Sequence, residues 1–483
     1  MTSIYKVYSD VARALNRNVN NADRPVVCIQ GLGFVGLAMG IAVAGAIDAS
    51  GRSVFNVIGV DLPTREGQKR IDSINRGILP FNNSDKKMSS AFEKVWKAGN
   101  LLATGDPAVF ALAAVTLVSI NLDLEFERKK PVVRMDGFKK AIRTLGAYLP
   151  QGALIIVEST VPPGTCEKIV VPEIRSILKG RKLPDDAILI AHSYERVMPG
   201  ENYLDSIINF WRVYSGYTEE AADKCKDFLS KVINVKDFPL TRLHSMTASE
   251  TGKVLENSYR AVNIAFIEEW GRFAEAVGID LFEVIDAIRK RPTHNNIKQP
   301  GFGVGGYCLT KDPLFAKVAA RDLFNLKNNE FPFSEKAIAV NNSMPLVTLD
   351  SIVRHFNGDL NSKKIMLLGV SYRQDIGDAR YSPARIFYEK AVQMGAVIVP
   401  CDPLLDYWPE LHMRIYKDLP PPEGFDAVVL AVQHKEYQQL DFPVWLKENR
   451  PYIFDANAVL SSEQLRNLKK AGFEVGSIGR GLM

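Results

Sequence analysis

The chain has 483 residues, too many for one ordinary hydrophobic core, so two or three domains are expected. With 46% hydrophobic and 24% charged residues it is neither disordered nor membrane-spanning in composition. Its net charge of +5, without a Lys/Arg-rich tail, gives no support for nucleic-acid binding.

Residues 1–24 are polar and mixed, an N-terminal extension with no apolar signal-peptide core. The run PVVCIQ (residues 25–30) reads as a buried strand, followed by a small-residue helix over about residues 35–46. SVFNVIGVD, ending in Asp61, reads as the next strand. Further apolar runs at residues 113–120, 152–160 and 186–193 alternate with helical patterns, the rhythm of a parallel, doubly wound sheet. Residues 246–278 contain no proline and repeat their apolar positions every three or four residues, which predicts one long helix. A second β-α-β pattern runs through residues 363–372, 396–403, 426–433 and 452–457. The expected class is therefore α/β, with an N-terminal Rossmann domain over 25–240, a central long-helix region over 241–345 and a C-terminal Rossmann-like α/β domain over 346–483.

Between the first strand and helix stands GLGFVG, with Gly31, Gly33 and Gly36 in dinucleotide-fingerprint spacing. The first glycine permits the tight turn, the second lets backbone approach a pyrophosphate, and the third packs helix on strand. Asp61 would accept hydrogen bonds from the adenosine ribose, favouring NAD, while Arg65 keeps NADP in view. The polar insert DASGRS (residues 48–53) explains why Asp61 comes late. A second dense glycine stretch, PGFGVGGYCLTKDP, leads into Cys308, Lys311 and Asp312. A thiol beside a lysine has surroundings that lower its pKa, although a lone cysteine is more often a small buried hydrophobe. The five cysteines are scattered and odd in number, which speaks against a disulfide framework or a zinc cluster and for reduced cytoplasm; no metal is expected. The six histidines read as structural or surface residues.

These blocks, with ESTVPPGT, KVLENSYRAVNIAF and GVSYRQDIGDARYSPA, resemble the UDP-glucose/GDP-mannose dehydrogenase family in the family's order. The resemblance implies four-electron oxidation of a nucleotide-sugar C6 hydroxyl to a carboxylate with NAD, a C-terminal UDP-binding domain and a homodimer built on the central helix. By the same resemblance Cys308 is the nucleophile that forms a thiohemiacetal and then a thioester. Lys253 and Asn257, four apart on one helix face, stabilise the oxyanion. Asp312 positions water with Thr160 as its hydroxyl partner, and Glu195 is a base for thioester hydrolysis. The implied cofactor contacts are Gly31, Gly33, Phe34, Val35, Gly36, Asp61, Ser119, Glu158 and Arg380. The implied substrate contacts, besides Lys253, Asn257 and Glu195, are Arg196, Val197, Arg260, Arg291, Phe302, Gly303 and Gly305.

The sequence departs from the family pattern at Tyr194, where a proline is usual, at NLDLEFERKKP after residue 120, and at FDANAVL, which lacks an arginine that some members carry. ERVMPG and GVGG are worded like members acting on UDP-N-acetyl-hexosamines, which is the favoured substrate class. CLTKDP leans toward the alternative, a UDP-glucose 6-dehydrogenase. Two other readings stand beside these: a two-electron hydroxyacid-type dehydrogenase with Lys253 as acid–base, and a catalytically inactive NAD-binding scaffold. A cytoplasmic protein is expected, without nucleic-acid or membrane partners.

Overall fold

The computed structural model describes residues 7–19, 23–81, 85–197 and 200–481. The chain divides into two compact units, residues 1–255 with 315–330 and residues 256–314 with 331–483.

In the first unit α1 (Tyr8–Ala14) precedes β1 (Val26–Gln30), α2 (Phe34–Gly45), β2 (Asn56–Val60), α3 (Arg65–Asn75), α4 (Lys86–Ala98), β3 (Leu101–Thr104) and β4 (Ala113–Val118). A hairpin of β5 (Leu124–Glu127) and β6 (Lys130–Val133) leads to α5 (Asp136–Tyr148), β7 (Leu154–Val157), α6 (Val171–Gly180) and β8 (Leu189–His192). Then come α7 (Asp205–Ile208), β9 (Val213–Gly216), α8 (Glu219–Val232), β10 (Thr241–Arg242) and the long α9 (Met246–Val277). Eight strands share one sheet in the order β10-β9-β8-β7-β4-β1-β2-β3. β1 and β2 are buried along their whole length, as expected of strands covered by helices on both faces. α5 turns Phe138, Ile142 and Leu145 inward, one stripe of an amphipathic helix.

The sequence reading missed three features here. β9 runs antiparallel to β8; among the described residues of 193–212 the only helix is the four-residue α7, too short to serve as the crossover that returns a chain in parallel. The N-terminal extension holds α1, whose Tyr8, Val11 and Ala12 are buried and whose Tyr8 hydroxyl donates to the Gly99 carbonyl at 3.1 Å. The segment after residue 120 folds into the β5–β6 hairpin, turned by Arg128 and Lys129, both with positive φ. Glycine or asparagine normally marks such a turn, so it carried no recognisable signal. The DASGRS insert closes on itself through an Ile47–Ser53 bridge, with Asp48 accepting from the Ser50 and Arg52 amides.

The second unit takes the rest of α9, then α10 (Leu281–Arg289); α11 (Phe315–Asp322) belongs to the first unit. It continues with α12 (Pro332–His355), β11 (Lys364–Leu368), α13 (Pro383–Gln393), β12 (Val397–Cys401), β13 (Tyr407–Trp408) and β14 (Met413–Arg414). It ends with β15 (Ala427–Leu430), α14 (Lys435–Gln438), α15 (Phe442–Leu446), β16 (Tyr452–Asp455), α16 (Ser462–Lys470) and β17 (Val475–Ser477). Five parallel strands form its sheet in the order β12-β11-β15-β16-β17. The α/β class, the long helix and the second Rossmann-like sheet are as the sequence predicts. Among the described residues no helix is long and apolar enough to cross a membrane.

Candidate active site

The glycine fingerprint behaves as its spacing demands. Gly31 has φ +96°, and a side chain there would strike the Ser119 carbonyl. A Cβ on Gly36 would run into the Gly31 carbonyl, whereas Gly33 faces open space within 4 Å. Open backbone at the second glycine, at the start of α2, is the surface a pyrophosphate needs. Phe34 and Val35 open that helix; the Phe34 ring stacks on Phe81 at 4.7 Å and its carbonyl accepts from the Tyr203 hydroxyl. These residues fit a dinucleotide.

Asp61 follows β2 and pairs with Arg70 on α3, Nε to Oδ2 at 2.8 Å. Arg65, the nearer cation in sequence, stands exposed at the first position of α3. Ser119 follows β4 and donates to Glu158 Oε2 at 3.2 Å. Glu158 is 1% exposed, and burial, outweighing its attraction to Arg212, pushes its carboxyl up to about 7. Arg212, 3.2 Å from Glu158, escaped the sequence reading. Its Nη1 is buried with no hydrogen-bond partner among the described residues. Thr160 lies three residues beyond β7, half-buried.

The first unit also holds Lys253 and Glu195. Lys253 Nζ donates to the Glu195 carbonyl at 2.6 Å and lies 3.4 Å from Oε1, with both side chains about nine-tenths buried. The Val197 amide donates to Glu195 Oε2. Arg196 donates to the Trp211 carbonyl at 2.7 Å and to the Tyr194 hydroxyl at 3.1 Å. Tyr194, standing where a proline is usual, presents its ring to both Arg196 and Lys253, at 5.1 and 5.8 Å. His192 is buried behind them with Nδ1 2.6 Å from Ser249 Oγ. Burial, helped by the Lys253 charge, pushes its imidazole down to about 3, so it is neutral there. Met198 and Pro199 of the ERVMPG wording lie outside the described residues.

In the second unit, Asn257 stands one turn along α9 from Lys253 and donates to Asp312 Oδ2 at 2.8 Å. Lys311 Nζ meets the other oxygen at 2.8 Å, and Asp312 is 1% exposed. The Asp312 amide donates to the Cys308 carbonyl at 2.9 Å, which folds thiol and carboxylate into one turn. All five cysteines stand outside any disulfide; Cys308 is exposed and the other four are buried. Burial pushes the thiols of Cys28, Cys166, Cys225 and Cys401 up, away from reactivity.

The loop before Cys308 owes its glycines to close packing. A Cβ on Gly305 would meet the Tyr381 carbonyl, and Gly303, with φ +112°, faces Pro383. Side chains hold its backbone: Asn341 accepts from the Val304 amide and donates to the Val304 carbonyl, both at 2.8 Å. Phe302, expected to touch substrate, is 2% exposed, with its ring in the core 5.8 Å from Phe387. Apolar packing has claimed that side chain, so it offers no surface to a ligand. Arg380 forks onto Asp378, with Nη2–Oδ2 at 2.6 Å, and its guanidinium covers Tyr307 at 5.1 Å. Arg260 and Arg291 are exposed.

Only one cluster among the described residues, Asp375, His434 and Glu436, gathers three potential metal-ligand atoms. Both His434 nitrogens are engaged, Nδ1 by the Asp375 amide at 3.1 Å and Nε2 by Asp402 at 3.2 Å. That histidine is structural.

Three family models match the chain, all described as UDP-glucose/GDP-mannose dehydrogenase family: the NAD binding domain over residues 26–232, the central domain over 247–343 and the UDP binding domain over 366–462. A UDP-N-acetyl-D-mannosamine dehydrogenase of Methanocaldococcus jannaschii is 29% identical over 461 residues, covering 94% of this chain and 96% of the relative. An NDP-N-acetyl-D-galactosaminuronic acid dehydrogenase of Ralstonia nicotianae is 27% identical, covering 87% and 93%. A solved UDP-D-ManNAc dehydrogenase from Pyrococcus horikoshii is 25% identical, with a TM-score of 0.78 and coverage of 94% and 99%.

Proposed function

The chain belongs to the UDP-glucose/GDP-mannose dehydrogenase family, and on that premise we propose that it oxidises the C6 hydroxyl of a UDP-N-acetyl-hexosamine to the uronic acid. It is an NAD-dependent nucleotide-sugar dehydrogenase. The amino-sugar reading draws support from the names of two relatives, a UDP-N-acetyl-D-mannosamine dehydrogenase and an NDP-N-acetyl-D-galactosaminuronic acid dehydrogenase.

The observation that carries the mechanism is the turn that joins exposed Cys308 to buried Asp312, itself held by Asn257. NAD supplies the hydride acceptor for both oxidations. After the first, Cys308 Sγ adds to the C6 aldehyde carbon, and the carbonyl oxygen becomes an alkoxide stabilised by Lys253 and Asn257. Loss of the second hydride leaves a thioester on Cys308. Water then attacks that carbon, the C–S bond breaks, and the thiolate is released as the product carboxylate forms. Asp312 and Glu195 are the carboxylates that orient this water and take its proton, with Thr160 as a hydroxyl partner. Glu158, Ser119 and Arg380 hold the cofactor; Arg196, Arg260 and Arg291 answer the charge of the substrate.

A homodimer in the cytoplasm completes the reading. Cysteines outside any disulfide suit a reducing compartment, and an exposed aromatic stripe on α9 suits a second copy.

The test supplies NAD with UDP-N-acetyl-mannosamine, its gluco and galacto isomers and UDP-glucose, reading NADH and product mass. Two NADH per N-acetylated sugar and a carboxylate product are expected, with Cys308→Ser lowering turnover by about a thousandfold or more. One NADH per substrate, or a serine variant that completes both oxidations, refutes the cysteine mechanism. Preference for UDP-glucose overturns the sugar alone.

A further inference from the structure

The helix that carries Lys253 also carries a buried carboxylate that the proposed chemistry does not use. Glu250 stands three residues earlier on α9, hence on the same face, and is 1% exposed. Burying a carboxylate is costly unless donors meet it. Its Oε2 accepts the Gly164 amide at 2.5 Å and its Oε1 the Cys166 amide at 2.7 Å, with the Cys166 thiol as a third donor.

These amides belong to the ESTVPPGT turn and the residue after it, a few positions beyond Thr160. Gly164 has φ +90°, and Thr165 closes the turn on the Pro162 carbonyl, donating from its amide at 3.1 Å and its hydroxyl at 2.6 Å. A π-helical turn, residues Cys166–Val170, follows and runs into α6; such turns are frequent at functional sites. A carboxylate at its start meets amides that have no partner within the helix, at the positive end of the helix dipole. The contact is returned. Glu167, inside the π-helical turn, accepts the Thr247 amide in the first turn of α9 at 3.2 Å. Two helix starts thus exchange carboxylates.

Resting on the roles proposed for Thr160 and Lys253, we propose that Glu250 is a positioning residue for thioester hydrolysis, locking the turn that carries Thr160 to the helix that carries Lys253. Buried and with both oxygens occupied, it acts through those two residues rather than on the substrate. Hydrolysis needs both at once, Thr160 for the water and Lys253 for the oxyanion. Hydride transfer from the thiohemiacetal needs Lys253 alone. A slip between turn and helix therefore falls hardest on hydrolysis.

The experiment compares the full-length protein with Glu250→Gln, whose carboxamide turns a donor toward one of the two amides. NAD is supplied with each of the four UDP-sugars of the substrate panel, and steady-state rates are read alongside the intact mass of the protein during turnover. Glu250→Gln is expected to lower kcat by about tenfold or more while kcat/KM for the sugar moves less than about threefold, since that ratio reads only the steps up to the thioester. An acyl adduct on Cys308 should accumulate severalfold above its level in the unaltered protein. Retained NADH binding certifies the fold. If Glu250→Gln binds no NADH, Glu167→Ala, which opens only the returning contact, carries the same test with the same signature. A joint fall of kcat and kcat/KM without an adduct makes Glu250 a brace for the fold and overturns the inference, as do unchanged kinetics. An unaltered protein that yields one NADH per sugar, or none, overturns the cysteine mechanism on which the inference rests, an outcome distinct from a variant that halts at the thioester.

Discussion

Glu268 lies on α9, 4% exposed, accepting from Arg272 and from the Gly301 amide, while its Oε2 is buried with no hydrogen-bond partner among the described residues. Burial, opposed by the Arg272 charge, pushes its carboxyl from 4.5 up to about 7. A raised folded-state pKa favours the protonated form, so its contribution to stability is full below about pH 4.5 and is lost as the pH rises through about 7. Glu268→Gln keeps an acceptor for Gly301 and cannot ionise. Thermal melts from roughly pH 5 to 8 should therefore show the unaltered protein losing ground to the variant as pH rises. Parallel curves would show that Glu268 does not titrate there. The residues of the candidate site were unequally legible, and sequence distance explains much of the inequality. Cys308 and Asp312 lie in one turn beside a run of glycines, so a short segment displays both. Arg70 reaches Asp61 across 9 residues, and Arg212 reaches Glu158 across 54, with no local pattern announcing either pair. Phe302, a substrate contact by resemblance alone, has its ring in the core, where a large ring in an α/β domain often lies.

At the scale of elements, the cysteine loop of residues 300–308 has little regular structure and draws its order from other segments. Asn341, from α12, closes a reciprocal pair of 2.8 Å hydrogen bonds on Val304, four residues before Cys308. Asn341→Ala leaves both Val304 groups without that partner, at a cost of about 1–3 kcal/mol, and should let the loop wander. A fall of roughly tenfold in kcat with KM little changed is expected, because a misplaced nucleophile loses transition-state geometry. Asn341→Asp still accepts from the Val304 amide but cannot donate to its carbonyl, and should fall between. The rate of iodoacetamide labelling gives a second readout, since Cys308 is the exposed thiol among five. Unchanged labelling and unchanged kcat would free the loop from Asn341. Elements built from short apolar runs, such as β1, β2, β11 and β15, were plain in the sequence because burial on both faces demands such runs. The β5–β6 hairpin and the antiparallel β9 were not, since one turns on Arg128 and Lys129 and the other depends on a connection lacking a crossover helix.

For the whole molecule the question is what covers α9. Tyr259, Phe266, Trp270, Phe273 and Val277 recur at helical spacing and are each about half exposed. Trp270 meets Phe266 and Phe273 edge to face, at 6.4 and 5.8 Å, so the stripe is a continuous aromatic surface rather than scattered single residues. Contiguous apolar surface of this kind marks an interface, and a helix that pairs with its own copy about a two-fold axis covers the patch with itself. Aromatic anchors at the centre of such interfaces each contribute about 2 kcal/mol or more. Trp270→Asp combined with Phe273→Asp should therefore weaken self-association by about a thousandfold. Sedimentation equilibrium at micromolar protein should show the unaltered chain as a dimer of 53.7 kDa subunits and the double variant as a monomer. The unaltered protein should also melt at a temperature that rises with its concentration, and the variant should not. A double variant that sediments with the unaltered mass would move the interface off α9. Monomeric behaviour of both proteins would remove the dimer itself, leaving the aromatic stripe to be covered by some other partner.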